Sequence, residues 1–233
     1  MTAAPTFSRA WFDLQSNWVG RVVELTGIDR VAAWQDWTAV TNLEMPGVWQ
    51  VVRDAVISGN AAAVAHREWL ATLTARRTAL QPGCFWYELE EDNRQVRLHF
   101  ANREGRGVLS PGRQAARRAE LAATLADAQS AAPEAERLRG GSWLYHLPGY
   151  RALFPRSFLD RAIEGEPRND VGRMALWGQF VRGDGTLYQP RANQFIRVYM
   201  EASSVDGLLA AFPLRTLDVV GPLRDVTDWL TPD

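Results

Sequence analysis

A glycine-bearing loop, Asn102-Arg103-Glu104-Gly105-Arg106-Gly107, lies between a predicted strand and a predicted helix. Backbone N–H groups in such a loop, together with the positive end of the helix dipole, can hold a phosphate or pyrophosphate group. Arg103, Arg106 and Arg113 could add charge-assisted hydrogen bonds to the same anion. The two glycines are equally compatible with an ordinary surface loop whose arginines are solvated, so the sequence leaves both interpretations open.

The elements before this loop predict a β-hairpin. Apolar and polar residues alternate through residues 84–89 and again through residues 96–100, and the polar residues between them favour a chain reversal. The alternation puts Trp86 and Glu88 together on one face of the first strand. It puts His99 on the more polar face of the second strand.

The elements after the loop predict a helix that packs on the sheet. Ser110 and Pro111 are typical of a helix start, as a capping serine and a first-turn proline. Arg117 is expected on the solvent side of this helix. The expected buried stripe consists of Ala115, Leu121, Leu125 and Ala128.

Three further strands and several short helices are predicted beyond that helix. Residues 138–147 alternate as a third strand that carries Tyr145 and His146, and Gly140-Gly141 within it predicts a bulge or the close approach of another backbone. Short helices are expected at residues 149–154 and 157–163. The remaining predictions are a fourth strand at residues 173–181, helices at 190–202 and 205–212, a fifth strand at 214–220 and a final helix at 222–230.

The first 80 residues predict helices only, so the expected fold is α+β, with a helical N-terminal region at 1–80 and a mixed, mostly antiparallel sheet flanked by helices at 81–233. Aromatic residues recur at helical spacing in the first region. They could line a ligand pocket, but this spacing favours packing between helices. The tryptophans concerned are Trp11, Trp18, Trp34, Trp37 and Trp49.

The composition excludes several kinds of chemistry. All 26 basic residues are arginine, so no lysine is available for a Schiff base, for pyridoxal phosphate or for a phosphate loop. The single cysteine, Cys84, excludes a multi-cysteine zinc site or an iron–sulfur cluster within one chain, and it is expected to be a buried, unreactive thiol. No metal is expected.

The charge balance and hydropathy also limit the possible partners. A formal net charge of −1 argues against nucleic acid and against an anionic membrane surface. No apolar run approaches the roughly 18 residues that a membrane span needs. With one cysteine and no signal-peptide pattern, a cytoplasmic location is expected. The oligomeric state stays open.

The order strand, strand, glycine loop, helix, strand, helix, strand, strand between residues 84 and 220 resembles the catalytic core of the GNAT superfamily of acyl-CoA-dependent N-acyltransferases. In that family the loop has the form Gln/Arg-x-x-Gly-x-Gly/Ala, and its amides hold the coenzyme A pyrophosphate. Asn102 stands here where the family has Gln or Arg, and Gly105 and Gly107 match its small residues. The helical first third and Ser142-Trp143-Leu144 are similar to two-part bacterial acyltransferase-like proteins.

The resemblance implies transfer of an acyl group from acyl-CoA, as co-substrate, to an amine of a small molecule or a peptide. The cofactor would be held by Asn102, Arg103, Gly105, Arg106, Gly107 and Arg113. Tyr150 or Tyr145 would protonate the leaving thiolate, and His146 or Glu88 would accept the proton of the amine.

Two alternatives to acyl transfer remain. The first is a non-catalytic GNAT-like protein that has lost its cofactor and binds a ligand or a partner, with the tryptophan-rich helices as one possible contact surface. The second is a hydrolase built on Ser142 and His146, although no nucleophile-elbow pattern such as Gly-x-Ser-x-Gly is present.

Overall fold

A computed structural model describes residues 7–42, 48–76, 83–105 and 107–231. These residues form an α+β fold, as predicted, with helices preceding a five-stranded sheet. In chain order the elements are α1 (Arg9–Thr26), α2 (Arg30–Trp37), α3 (Val48–Ile57), α4 (Ala61–Arg76), β1 (Phe85–Glu90), β2 (Gln95–Phe100), α5 (Gln114–Ala131), β3 (Arg137–Ser142), α6 (Pro148–Arg151), α7 (Arg156–Leu159), β4 (Ile163–Glu164), α8 (Pro167–Asp170), α9 (Met174–Trp177), α10 (Gln189–Glu201), α11 (Val205–Ala210), β5 (Leu217–Pro222) and α12 (Leu223–Leu230).

The chain divides into two compact units. Among the described residues, the helical unit combines those up to residue 76 with residues 166–215, and the sheet unit combines residues 83–165 with residues 216–231. The segment 166–215, which the sequence placed with the sheet, therefore lies in the helical unit. Pro46 and Gly47 predict a turn at residues 45–47, and the helical pattern of the last predicted helix in the first region extends to Leu80. The turn and the end of that helix lie outside the described residues.

The helical unit is packed around aromatic side chains from both of its segments. Trp18 of α1 is fully buried, and its ring stacks on Phe195 of α10 with centroids 5.0 Å apart. Phe195 in turn lies 4.7 Å from Phe212. Four of the five tryptophans noted above are buried, namely Trp11, Trp18, Trp34 and Trp37. The prediction that these four tryptophans pack the core is confirmed.

The strand predicted at residues 173–181 is wrong. This stretch forms α9 and a following 3-10 turn, Gly178–Phe180, within the helical unit. Its buried apolar residues are Leu176, Trp177 and Phe180, a helical spacing rather than an alternating one.

The sheet of the second unit has the strand order β1-β2-β3-β5-β4. Strands β2 and β3 are parallel, as expected for strands joined through a crossover helix, here α5, and the other pairs are antiparallel. The predicted hairpin is confirmed, with Trp86 opposite His99 and Glu88 opposite Arg97. Its turn holds Asp92 and Asn93 at positive φ, which these residue types tolerate.

The third strand is shorter than predicted. It ends at Ser142, whose side chain accepts a hydrogen bond from the Leu144 amide at 3.1 Å and starts a 3-10 turn over residues 143–146. The prediction that Tyr145 and His146 lie on this strand is therefore wrong. The predicted bulge is also absent from β3, because its pairing with β5 runs without interruption through Gly140 and Gly141.

Helix α5 buries Leu121, Leu125 and Ala128 as predicted, but two positions are exchanged. Ala115 is exposed, whereas Arg117, expected in solvent, is buried.

The apolar face of the sheet packs under α5 and α12. The opposite face, called the polar face below, carries Trp86, Glu88, Arg97, His99, Arg139 and Asp218. None of the described helices is long and apolar enough to cross a lipid bilayer.

Candidate functional site

The loop after β2 is closed by its own first side chain. The carboxamide nitrogen of Asn102 donates to the Gly105 carbonyl at 2.8 Å, and its oxygen accepts from the amides of Glu104 at 3.2 Å and Gly105 at 3.0 Å. Gly105 has φ +84°, a left-handed conformation that favours glycine. The Gly105 amide, one of those expected to hold an anion, is thus already hydrogen-bonded within the loop, as is the neighbouring amide of Glu104. Arg106 lies outside the described residues.

An ionic cluster centred on the buried Arg117 joins the loop to α5, and it is formed by Glu104, Arg117 and Glu120. The Arg117 side chain is 5 % exposed, and its guanidinium pairs with both carboxylates. Arg113, exposed to solvent, has a guanidinium nitrogen 3.7 Å from the second oxygen of Glu104. A bound pyrophosphate would therefore meet the negative charge of Glu104 next to the arginines expected to attract it.

Glu120 connects this cluster to the start of the sheet. One of its carboxylate oxygens accepts from the backbone amides of both Cys84 and Phe85. Cys84 is buried, as predicted, and its burial raises the pKa of the thiol. A raised pKa leaves less of the nucleophilic thiolate at neutral pH.

The start of α5 is tied to the segment after β3. A 3-10 turn, Pro111–Arg113, precedes the helix, and Ser110 makes no side-chain cap. The Gln114 amide nitrogen donates to the carbonyls of Leu109 at 3.2 Å and Gly149 at 2.8 Å. The loop is therefore fixed at both ends by side-chain amides that bond to backbone.

Tyr145 and Tyr150 lie together in the core of the sheet unit. Their ring centroids are 5.1 Å apart, and the side chains are only 1 % and 3 % exposed. Burial raises the pKa of both phenols well above that of a free tyrosine. Each phenol is packed on the apolar face and lies away from solvent, where it cannot meet a leaving thiolate without a rearrangement of the core.

Glu88 lies on the polar face and pairs with His99. The Nε2 atom of His99 is 3.1 Å from a carboxylate oxygen of Glu88, and the imidazole stacks on Trp86 at a centroid distance of 5.0 Å and an angle of 10°. The Arg103 guanidinium lies 5.3 Å from the centre of the Trp86 ring. Burial lowers the pKa of His99, and the Glu88 carboxylate opposes this shift.

The predicted catalytic residues are thus divided between the two faces of the sheet. Glu88 lies on the polar face, and the two tyrosines lie on the apolar face. His146 is exposed in the 3-10 turn after β3. Ser142 is the cap of that turn, and its hydroxyl accepts from a backbone amide.

Sequence reasoning missed two residues, His99 and Arg117, that the structure brings into contact with acidic side chains. The first is His99: the hairpin register sets it opposite Trp86 and diagonally across from Glu88, and this register could have been counted outward from the turn. Arg117 shares a helical stripe with Leu121 and Leu125, a spacing that pointed inward despite the charge.

The depressed pKa of His99 predicts a pH dependence of stability. In the unfolded chain His99 binds a proton near the ordinary pKa of 6.5, whereas in the folded state its pKa is lower. The stability that the neutral imidazole confers is therefore complete above pH 6.5. It is lost as the pH falls through the folded pKa. In His99→Gln the loss of stability between pH 7.5 and 5 should be smaller than in the wild type. Urea unfolding at each pH measures the difference; an equal slope in the two proteins would contradict it.

Among the described residues there is no cluster of three histidine, cysteine or acidic side chains placed to hold a metal ion. Comparison with known proteins finds no matching family model, no matching curated protein and no matching solved structure.

Proposed function

We propose that this chain is a binding protein that recognises a protein or peptide partner and does not transfer acyl groups from acyl-CoA. The main observation in support of this proposal is that the backbone amides of Glu104 and Gly105 donate hydrogen bonds to the Asn102 side chain. A pyrophosphate needs such N–H groups unoccupied and directed at it. To bind here, it would have to displace the Asn102 carboxamide and also approach the Glu104 carboxylate.

The placement of the tyrosines supports the same proposal. A general acid must lie within hydrogen-bond reach of the atom that it protonates. Tyr145 and Tyr150 are buried core residues on the apolar face, and burial raises the pKa of each phenol, which makes it a weaker acid. These side chains support the fold of the sheet unit rather than a reaction at the loop.

The expected partner is a protein or peptide rather than nucleic acid. The net charge of −1 provides no general attraction for a phosphate backbone. The polar face instead offers Trp86, a side chain type that often anchors protein contacts, next to exposed Glu88. The single buried cysteine fits the reducing cytoplasm, which we infer as the location.

Titration with coenzyme A, acetyl-CoA and a long-chain acyl-CoA tests this proposal. A ligand present at 100 times its Kd should stabilise the native state by about 2.7 kcal/mol. We expect no change in the free energy of unfolding with any of the three compounds. A saturable increase that is abolished in Gly105→Ala, whose side chain would be strained at positive φ, would overturn the proposal.

One observation favours acyl transfer as a second candidate function. Glu88 and His99 form a proton-accepting pair on β1 and β2, and His99 lies three residues before the loop. A neutral imidazole held by a carboxylate can remove a proton from an amine. Under this candidate, acetyl transfer from acetyl-CoA to a panel of primary amines would be detectable and would fall at least about 100-fold in His99→Gln. No transfer by the wild type would eliminate it.

A further inference from the structure

Within the described residues β1 is an edge strand, and its outer backbone groups are unpaired at its centre. The Ala101 amide donates to the Cys84 carbonyl at 2.9 Å, and bonded and non-bonded pairs alternate from there along the hairpin. Trp86 and Glu88 therefore exchange hydrogen bonds with β2. Phe85, Tyr87 and Leu89 direct their N–H and C=O groups away from it.

Only the first of these outward positions is occupied. The Phe85 amide donates to Glu120 at 3.0 Å. No hydrogen bond to the described part of the chain engages the amides of Tyr87 and Leu89. Two of the usual protections against pairing are absent from this edge, because β1 contains no proline and its ladder with β2 has no bulge.

The side chains beside this edge are acidic on both faces of the strand. On the polar face Glu88 is 57 % exposed, and its carboxylate lies near His99 and, at 3.8 Å, near Arg97. On the apolar face Asp127 of α5 lies beside the edge and accepts a hydrogen bond from the Tyr87 hydroxyl at 2.9 Å. Self-pairing of two β1 strands about Glu88 would place two carboxylates directly opposite each other, which disfavours that arrangement of a second copy.

We propose that the β1 edge binds an extended peptide segment with arginine or lysine at alternate positions, added as a sixth strand beside Tyr87 and Leu89. This inference rests on the proposed function and names the partner. The backbone groups of Tyr87 and Leu89 would supply main-chain hydrogen bonds, as in other cases of strand addition. Glu88 would select a basic side chain directly opposite it on the added strand.

The apolar face sets the intervening positions of the peptide. Side chains there would lie against the half-buried Tyr87 and Leu89, which pack on the core of the sheet unit. The recognised pattern is therefore basic, apolar, basic, apolar, basic, as in Arg-Val-Arg-Val-Arg.

The test uses the full chain and a fluorescein-labelled Arg-Val-Arg-Val-Arg peptide, with Glu-Val-Glu-Val-Glu as its charge-reversed control. Two N-methylated forms of the basic peptide, methylated at the valines or at the arginines, distinguish the hydrogen-bonding edge of the peptide from its outer edge. We expect the basic peptide to bind, the acidic one not to bind, and one of the two N-methylated forms to lose binding. Glu88→Arg should weaken binding about tenfold or more.

Glu201→Arg is the matched control variant, because it makes the same change in net charge at an exposed residue of the helical unit. Its affinity should equal that of the wild type. Amide exchange should slow at Tyr87 and Leu89 when the basic peptide is added. No binding, equal binding of both N-methylated forms, or equal loss in the two charge variants would overturn the inference.

Amide measurements on the same protein sample distinguish a failure of this inference from a failure of the proposed function. Acetyl-CoA added without peptide would perturb the amides of Glu104 and Gly105 if the proposed function were wrong. The basic peptide acts at Tyr87 and Leu89, more than ten residues away in sequence, so each result is assigned to one proposal.

Discussion

Replacing Arg117 with methionine should lower the free energy of unfolding by about 3 kcal/mol or more. The side chain is 5 % exposed and pairs with Glu104 and Glu120, whose own side chains are 27 % and 17 % exposed. Methionine retains much of the apolar contact of arginine but leaves the partly buried carboxylates of Glu104 and Glu120 without the cation that lies between them. Chemical denaturation at pH 7 measures the loss.

The arrangement provides two internal controls for this prediction. Arg113→Met removes a guanidinium that is 57 % exposed and 3.7 Å from Glu104, so its effect should stay below about 1 kcal/mol. Adding Glu104→Gln and Glu120→Gln to Arg117→Met should restore most of the stability, since no unpaired charge then remains buried. Equal effects of the two arginine variants, or no recovery in the triple variant, would show that the cluster is not a buried ionic group.

Replacing Gly140 with alanine should destabilise the sheet unit by about 1–3 kcal/mol. A Cβ at this position would overlap the hydroxyl oxygen of Tyr145 and lie 3.1 Å from the ring carbon that bears it. Both groups are fixed in the core, so neither can move without disturbing its neighbours. Thermal or urea unfolding detects the change.

Tyr145→Phe supplies the matching second variant. Alone it removes a buried hydroxyl that makes no hydrogen bond of normal geometry with the described residues, so stability should change by less than about 1 kcal/mol. Combined with Gly140→Ala it should recover most of the loss, and the two effects should not be additive. Gly141→Ala is the control on the same strand, because its Cβ would meet only the carboxylate of Asp218, a side chain 41 % exposed and able to turn away. Additive effects, or a larger loss at Gly141, would contradict this account.

Local pattern predicted the hairpin, the helix α5 and the last strand, because each has a regular alternation or a helical stripe within a few residues. Local pattern failed at residues 173–181, because the apolar residues there are dense enough to fit both the two-residue period of a strand and the 3.6-residue period of a helix. Their helical form depends on packing against Trp18 and Phe195, which lie far away in the chain. Residues 166–215 belong to the helical unit for the same reason: they pack against residues that lie far away in the chain.

The candidate site was only partly predictable for a different reason. A strand, a glycine loop and a helix can be recognised from sequence, but the direction of the loop amides is set by one side chain. Asn102 is short enough to bond back to Glu104 and Gly105, and this local turn competes with binding of an external anion. The burial of Arg117 likewise depends on two carboxylates from different elements, which no local pattern brings together.

The amide resonances of Glu104 and Gly105, followed during addition of acetyl-CoA to the full chain, test the central claim most directly. We predict that neither resonance moves in the wild type, because both N–H groups already donate to Asn102. Asn102→Asp retains the acceptor oxygen and serves as the matched control, whereas Asn102→Ala releases both amides. A saturable shift of the Gly105 amide in the wild type on addition of acetyl-CoA would contradict the account and restore the acyl-CoA site.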